Sequence, residues 1–353
     1  MTSKASGAVI KVIGVGGGGC NSINTMIRKD VKGVEFFSVN TDIQSLNMAL
    51  EGTKTVQIGK ELTKGLGAGS IPEVGKAAAQ ENIEEFEEIA KETDMLFIAA
   101  GMGGGTGTGA APVIAETAKD QDILTVGVVT KPFLFEGKRR MKNAEQGIKE
   151  ISKICDSVII IPNQKLLEAL PKNIPLTEAF SFSDDVLRQA VQGISDLVNH
   201  PGQINVDFAD VKTVMSKKGM AIMGIGEATG NDRAKTAAQK AIYSPLLDNI
   251  DLSGASDILV NITSGENLSL SEVEESINTI REATSEDAEL IFGTVIDNEI
   301  DEKIKITVIA TGFSAPKKRF SERATASISP VAIEDEDLLD IPAFQRIKSK
   351  KLQ

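Results

Sequence analysis

The first half of the chain alternates two hydrophobic periods. Short, almost wholly apolar runs at 8–15 (AVIKVIGV), 34–42 (VEFFSVNTD), 55–59 (TVQIG), 95–101 (MLFIAAG), 123–129 (ILTVGVV) and 157–162 (SVIIIP) read as strands. Between them lie stretches with helical spacing. The longest runs from Pro72 to about Lys91, where Ser70 and Glu73 have the spacing of a capping box and Pro72 suits a first turn. Continuous apolar strands separated by helices predict a parallel sheet covered on both faces, an α/β fold.

From Leu176 to Val198 apolar residues recur at steps of three and four, until His200-Pro201-Gly202 stops the pattern. This predicts one helix over about 175–199, roughly 37 Å long, serving as a spine between two domains. Beyond it, 206–216 reads as a helix, 219–228 as a strand, Arg233–Tyr243 as a helix, 257–263 as a strand and Ser269 to Ala283 as a helix. AELIFGTVI (288–296) and KIKITVIAT (303–311) read as a final strand pair. The expected organisation is a parallel-sheet domain over 1–174, the central helix over 175–200 and a smaller α/β domain over 201–315. A flexible linker over 316–333 and a short motif in a disordered tail, 334–353, complete it. No internal repeat is present.

Composition narrows the function. The 38 basic and 50 acidic residues leave a net charge of −12, so nothing favours nonspecific binding to nucleic acid or to an anionic membrane. A single His excludes His-cluster metal sites and argues against a Ser-His-Asp triad, so no protein metal centre is expected. Two cysteines, Cys20 and Cys155, are too few for a disulfide framework and read as reduced thiols of a cytoplasmic protein. No run approaches 18 apolar residues, and Lys11 interrupts the only N-terminal candidate for a signal peptide.

Glycine carries the chemistry. Of 32 glycines, 14 fall in three short stretches, Gly14 to Gly19, Gly65 to Gly69 and Gly101 to Gly109. The first, Gly14-x-Gly16-x-x-Gly19 between a strand and a helix, fits a dinucleotide fingerprint, with Asp42 available as the ribose acid. It equally fits a tight turn. The second, AAGMGGGTGTGAAP (99–112), offers a row of free N–H groups and two hydroxyls ahead of a helix expected to hold Pro112 in its first turn. The third, GLGAGS (65–70), precedes another helix. Three such loops at the ends of parallel strands suit a triphosphate better than a dinucleotide, and the P-loop pattern G-x-x-x-x-G-K-[ST] is absent.

Taken together, GVGGGGCN (14–21), SVNTD (38–42), TKGLGAGS (63–70), GMGGGTGTG (101–109) and KPFLFEGKRRM (131–141) resemble the FtsZ family, the bacterial relatives of tubulin. NVDFADVKTVMS (205–216) and LLDIPAF (338–344) extend the likeness over nearly the whole chain. The resemblance implies a tubulin-like fold and a GTPase, active on polymerisation, whose head-to-tail filaments form the bacterial division ring at mid-cell. GTP or GDP with Mg²⁺ would be the bound groups.

By the same resemblance, Gly17, Gly18, Gly19, Cys20 and Asn21 line the phosphates and nearby sugar. Gly104, Gly105, Thr106, Gly107 and Thr108 wrap the phosphates, with Ala68, Gly69 and Ser70 near the γ-phosphate. Glu136 and Arg140 match ribose and phosphate contacts, although a plain surface ion pair explains them equally. Phe180, Asp184 and Asp185 match the base-binding segment; a carboxylate suits the donor edge of guanine, and which of the two reads it stays open. The effect of Cys20 stays open between a tolerated side chain, an altered nucleotide affinity and an oxidant-sensitive site. Asn205, Asp207 and Asp210 match a catalytic loop serving a neighbour's nucleotide, although helix caps and solvated surface account for them locally. The length of the central helix keeps them from the same molecule's nucleotide, and a stacked neighbour would make an open, heterologous contact.

In the tail, Leu338, Leu339, Asp340, Ile341, Pro342 and Phe344 resemble the family's terminal peptide, which docks on membrane tethers such as FtsA, with no insertion of this chain into the membrane. Two rivals stay in view: a nicotinamide-dependent oxidoreductase using the Gly14 loop, and an assembly-only relative that binds GTP without hydrolysing it.

Overall fold

The computed structural model describes residues 7–313 apart from 169, 172, 201, 248–250 and 301. The linker and terminal motif expected over 316–353 lie outside the described residues.

Ten strands form one sheet: β1 (Ile10–Val15), β2 (Val34–Asn40), β3 (Thr53–Gln57), β4 (Met95–Gly101), β5 (Leu124–Lys131), β6 (Ser157–Pro162), β7 (Gly219–Ala228), β8 (Asp257–Ser264), β9 (Glu289–Ile296) and β10 (Ile304–Thr311). Their order is β3-β2-β1-β4-β5-β6-β7-β10-β8-β9. From β3 through β7 every pair is parallel. The order reverses between β1 and β4, where a doubly wound sheet opens a crevice at its carboxyl edge.

The apolar runs are explained by layers on both faces. Side chains alternate along a strand, so in β1 Ile10 and Val12 join one core while Ile13 and Val15 join the other. The first core is filled by the helix Leu176–Asn199 through Val186, Leu187, Ala190, Val191 and Ile194. It also contains Leu259, Val295 and Ile309 of the later strands, so this helix binds the early and late parts of the sheet together. The second core lies under the helices Pro72–Gln80, Ile83–Ala90, Thr106–Lys119 and Lys138–Ile154. A third core joins β7, β8 and β10 to the helices Arg233–Ile242 and Leu270–Glu282.

Four local expectations are corrected. The stretch from Pro72 to Lys91 is two helices, because the Asn82 side chain accepts the Gly59 N–H (3.0 Å) and draws the chain toward that loop. Ser70 caps nothing there; it sits at φ 61°, and Ile71 is the uncapped N-cap. Pro112 lies inside the helix Thr106–Lys119 rather than in its first turn, because the helix starts within the glycine stretch itself. Finally, 288–296 and 303–311 are not partners. β9 pairs with β8 in parallel, while β10 inserts antiparallel between β7 and β8. Adjacency in sequence misled because the loop after β9 carries the chain past β8.

Candidate functional site

Two helices start at the carboxyl edge of the sheet with nothing of their own to satisfy their first amides. The helix Gly16–Arg28 follows β1 directly, its N-cap is Val15, and no side chain caps it. The helix Thr106–Lys119 has Gly105 as an equally uncapped N-cap. Neither carries an acidic residue in its first turn. Free N–H groups and the positive end of the helix dipole make each an anion site.

Close backbone approach explains the glycines. At Gly16, with φ 71°, a Cβ would stand 2.8 Å from the Gly107 amide nitrogen. At Gly109 a Cβ would lie 1.9 Å from the Pro72 carbonyl oxygen, so the helices Pro72–Gln80 and Thr106–Lys119 touch backbone to backbone. Any side chain at either position would separate elements that bound the crevice.

Gly17, Gly18, Gly104, Gly105, Thr106 and Gly107 face a cavity of about 350 Å³. Asn21 and Ser70 stand on its wall as well. Thr106 is held by its hydroxyl, 2.7 Å from that of Thr41. Other expected contacts are not among the residues that line the cavity. Thr108 is buried and its hydroxyl accepts the Gly103 N–H (2.9 Å), fixing the turn rather than facing the cavity. Ala68 is buried, and its methyl would lie only 2.8 Å from a Cβ on Gly105; Gly69 adopts φ 58° beside it. Gly19 is packed against Gly14 and the Ala99 carbonyl.

Cys20 also points away. Its Sγ lies 3.8 Å from the carbonyl oxygens of Gly14 and Val39, against strands β1 and β2. Burial pushes the thiol up to about 11. A buried, protonated thiol is a poor nucleophile, so the oxidant-sensitive alternative has no structural basis.

The rest of the cavity lining comes mainly from the central helix and the segment after β5. Glu136 accepts the Phe133 N–H (2.9 Å) and pairs with Arg140, among the described lining residues the single cation. Phe180 meets Phe133 edge to face at 5.2 Å between ring centroids. Of the two adjacent acids only Asp184 faces the cavity. Burial raises its pKa to about 6, against the opposing Ser22 hydroxyl and the Arg28 charge. Asp185 turns the other way, accepting from Arg188 (2.6 Å) and Gln189 (2.7 Å). Burial works to raise its pKa, but these partners outweigh it and leave the carboxyl below its ordinary value.

Asn205, Asp207 and Asp210 are elsewhere. Asp207 caps the helix Phe208–Met215 by accepting the Asp210 N–H (2.8 Å), while Asp210 accepts the Asp207 N–H in return (3.4 Å). Asn205 accepts the Gly202 N–H (2.7 Å). From Asp184 to the end of the central helix at Asn199 the rise is roughly 22 Å. That is shorter than the whole helix, yet still too far for one nucleotide to touch both ends.

Residues 9–171 match the model of the Tubulin/FtsZ family GTPase domain, and residues 219–314 that of the FtsZ family C-terminal domain. The chain belongs to the FtsZ family. Cell division protein FtsZ of Buchnera aphidicola subsp. Baizongia pistaciae is 55% identical over 305 residues, 86% of this chain and 79% of that protein. The Wigglesworthia glossinidia brevipalpis protein of the same name is 54% identical over 330 residues, 94% and 86% of the two chains. Among solved structures, an empty FtsZ dimer from M. jannaschii superposes with a TM-score of 0.82 at 44% identity, covering 86% and 88%. CetZ2 from Haloferax volcanii, at 22% identity and a TM-score of 0.75, shares the fold. This FtsZ-family chain is therefore a GTP-binding cell-division GTPase with the tubulin-like fold. The oxidoreductase reading of the Gly14 loop falls with that membership.

Sequence reasoning missed Thr130, Asn163 and Ser183, which also line the cavity. Ser183 donates to the Asn163 side-chain oxygen (2.7 Å), and both are buried. Thr130 near the end of β5 and Asn163 just after β6 follow from a general rule, since ligands gather where parallel strands end. Ser183 gave no such signal; only the turn of the helix brings it inward.

Proposed function

We propose that GTP lies in this cavity with its triphosphate on the amides of Gly17, Gly18 and Gly104 to Gly107, its ribose toward Glu136 and Arg140, and its guanine between Phe180 and Asp184. Guanine presents N1 and N2 donors to a carboxylate acceptor, whereas adenine presents a lone pair at N1. Asp184 is the base reader, since Asp185 is committed to Arg188.

Hydrolysis is completed by a second copy. Asp207 and Asp210, with Asn205, orient the attacking water on the nucleotide of the subunit below, and head-to-tail repetition gives a filament. Capping does not disqualify the two acids: a carboxylate has about four acceptor sites, and each uses one on its own helix. Mg²⁺ fits without a protein cage. Among the described residues no group of three acids, cysteines or histidines is placed to hold a metal ion, and Mg²⁺ carried on phosphate oxygens and water needs few protein ligands. When bound, it offsets phosphate charge.

The filament is a cytoplasmic polymer that forms the division ring at mid-cell. Among the described residues no helix is long and apolar enough to cross a membrane. Attachment falls to the terminal peptide, where Leu338, Leu339, Asp340, Ile341, Pro342 and Phe344 dock on a tether such as FtsA.

The observation that carries this reading is the roughly 22 Å of central helix between Asp184 at the cavity and Asn199, beyond which the chain reaches Asp207 and Asp210. Phosphate release measured against protein concentration tests it. A threshold followed by a linear rise is expected; strict proportionality from the lowest concentration would contradict an interface enzyme.

A further inference from the structure

Ser22 lies on the helix Gly16–Arg28, fully buried, with its hydroxyl between two acceptors. Its Oγ is 2.8 Å from Oδ1 of Asp184 and 3.0 Å from the carbonyl oxygen of Gly18. One hydroxyl carries one proton, so it donates to only one of them at a time. With Asp184 ionised, the stronger, charge-assisted bond goes to the carboxylate. With Asp184 protonated, the acid's O–H donates to Oγ, and Ser22 turns its own proton to Gly18, the ordinary i−4 bond of a helical serine. Gly18 is in the glycine turn that lines the cavity, so a single hydroxyl joins that turn to Asp184 on the facing helix.

We infer that Ser22 is a positioning residue that holds Asp184 ionised and aimed at the base, and that ties the state of this acid to the glycine turn. The inference rests on Asp184 reading guanine, as proposed above. Its consequence is a pH-dependent affinity for guanine nucleotides.

The surroundings leave Asp184 few other partners. From the helix Gly16–Arg28 the facing groups are Ser22 and the charge of Arg28. Across the cavity, Glu136 and Arg140 are paired with each other. On its own helix, Asp185 faces Arg188. Burial drives the Asp184 pKa up to about 6, and Ser22 is the foremost group restraining it. An acceptor for guanine must be ionised, so affinity is constant well above that value and falls as the pH drops through it. Removing the Ser22 hydroxyl lets the pKa climb further.

The test is equilibrium binding to the full chain, from pH 5 to pH 8.5, of GDP whose terminal phosphate is capped as its methyl ester, which avoids hydrolysis and leaves the protein as the group that titrates in this range. Wild type should show constant affinity above about pH 7 and a tenfold loss per unit well below pH 6. Ser22→Ala should move that break upward by about one pH unit, weakening binding about twofold at pH 7 and nearly tenfold at pH 5, with recovery at pH 8.5. Ser22→Thr, which keeps the hydroxyl, should retain the wild-type break. Asp184→Asn should bind more weakly with no break at all. If Asp184→Asn flattens the profile while the Ser22→Ala profile superimposes on wild type, the role given to Ser22 is wrong. A Ser22→Ala loss that is equal at every pH also overturns it, since that is a packing defect. A break that persists in Asp184→Asn instead overturns the base assignment beneath both.

Discussion

Two helices in the early part of the chain and two in the late part begin in opposite ways. Gly16–Arg28 and Thr106–Lys119 start on bare glycine turns with no side-chain cap and no first-turn acid. Phe208–Met215 and Leu270–Glu282 start with reciprocal capping boxes, Asp207 with Asp210 and Ser269 with Glu272. Capping a helix is worth about 1 kcal/mol, so two bare starts are a cost that a polyanion bound as proposed would offset by supplying the missing acceptors. The late helices are complete within the chain. What Asp207 and Asp210 have left is acceptor capacity facing outward, which suits water on a neighbouring molecule's nucleotide. On the proposed reading, these four helix starts differ as their roles require, two left open to a bound anion and two closed by their own side chains.

The largest effect should come from giving a bare start its own acid. A Cβ at Gly104 meets nothing within 4 Å, so Gly104→Asp should fold normally by circular dichroism. Its carboxylate would stand where the phosphates lie, and GTP affinity measured by filtration should fall by about a hundredfold or more. Retained affinity would mean that this turn is only structural.

Asp210→Ala breaks the comparison from the other side. GTP binding by the isolated subunit should stay near normal, while phosphate release falls by about a hundredfold or more. If the variant lost nucleotide binding as a monomer, the division of labour would be wrong.

A smaller effect sharpens the idea that the late helices are self-sufficient. Arg233 is buried and binds Glu272 (2.6 Å) and the carbonyls of Glu302 and Asn267, holding the start of Leu270–Glu282. Arg233→Ala should cost about 2–3 kcal/mol in denaturant unfolding, with GTP affinity unaltered. The Arg233 hydrogen bonds hold the Glu272 pKa down at about 2, against an ordinary 4.5. A depressed carboxyl stabilises the fold above its unfolded value, so this contribution should fade as pH falls from 4.5 through about 2 and be missing from Arg233→Ala.

The smallest effect is expected from the tail. Deleting 334–353 should leave hydrolysis and assembly by light scattering nearly unchanged and remove only recruitment to tether-bearing vesicles. Failure to assemble would place the tail in the working core.

The sheet was legible because apolar runs mark its strands: all ten were read, six of them from the runs of the first half, although β3 at the edge is only partly covered. The glycine turns were legible because glycine clusters for few reasons. Hidden were features decided by tertiary contact. Nothing in the order of 288–311 says that β10 crosses β8, and nothing local distinguishes Asp184 from Asp185. Only the rotation of the central helix against Ser22 and Arg188 separates the two acids. Cys20 misled for a similar reason: its position in the motif borders the phosphates, but the helix turns its sulfur to the sheet.

The central claim, that one molecule binds the nucleotide and the next completes its hydrolysis, is tested most directly by mixing two inactive variants. Gly104→Asp lacks a working cavity but keeps Asp207 and Asp210; Asp210→Ala binds GTP but lacks the acid for its neighbour. Each alone should release little phosphate. Mixed, the intact acids of the first can sit on the nucleotide held by the second, so phosphate release should reappear and peak at an intermediate ratio. A mixture that stays as inactive as its components at every ratio, while co-sedimentation shows the two variants associating, would contradict the account.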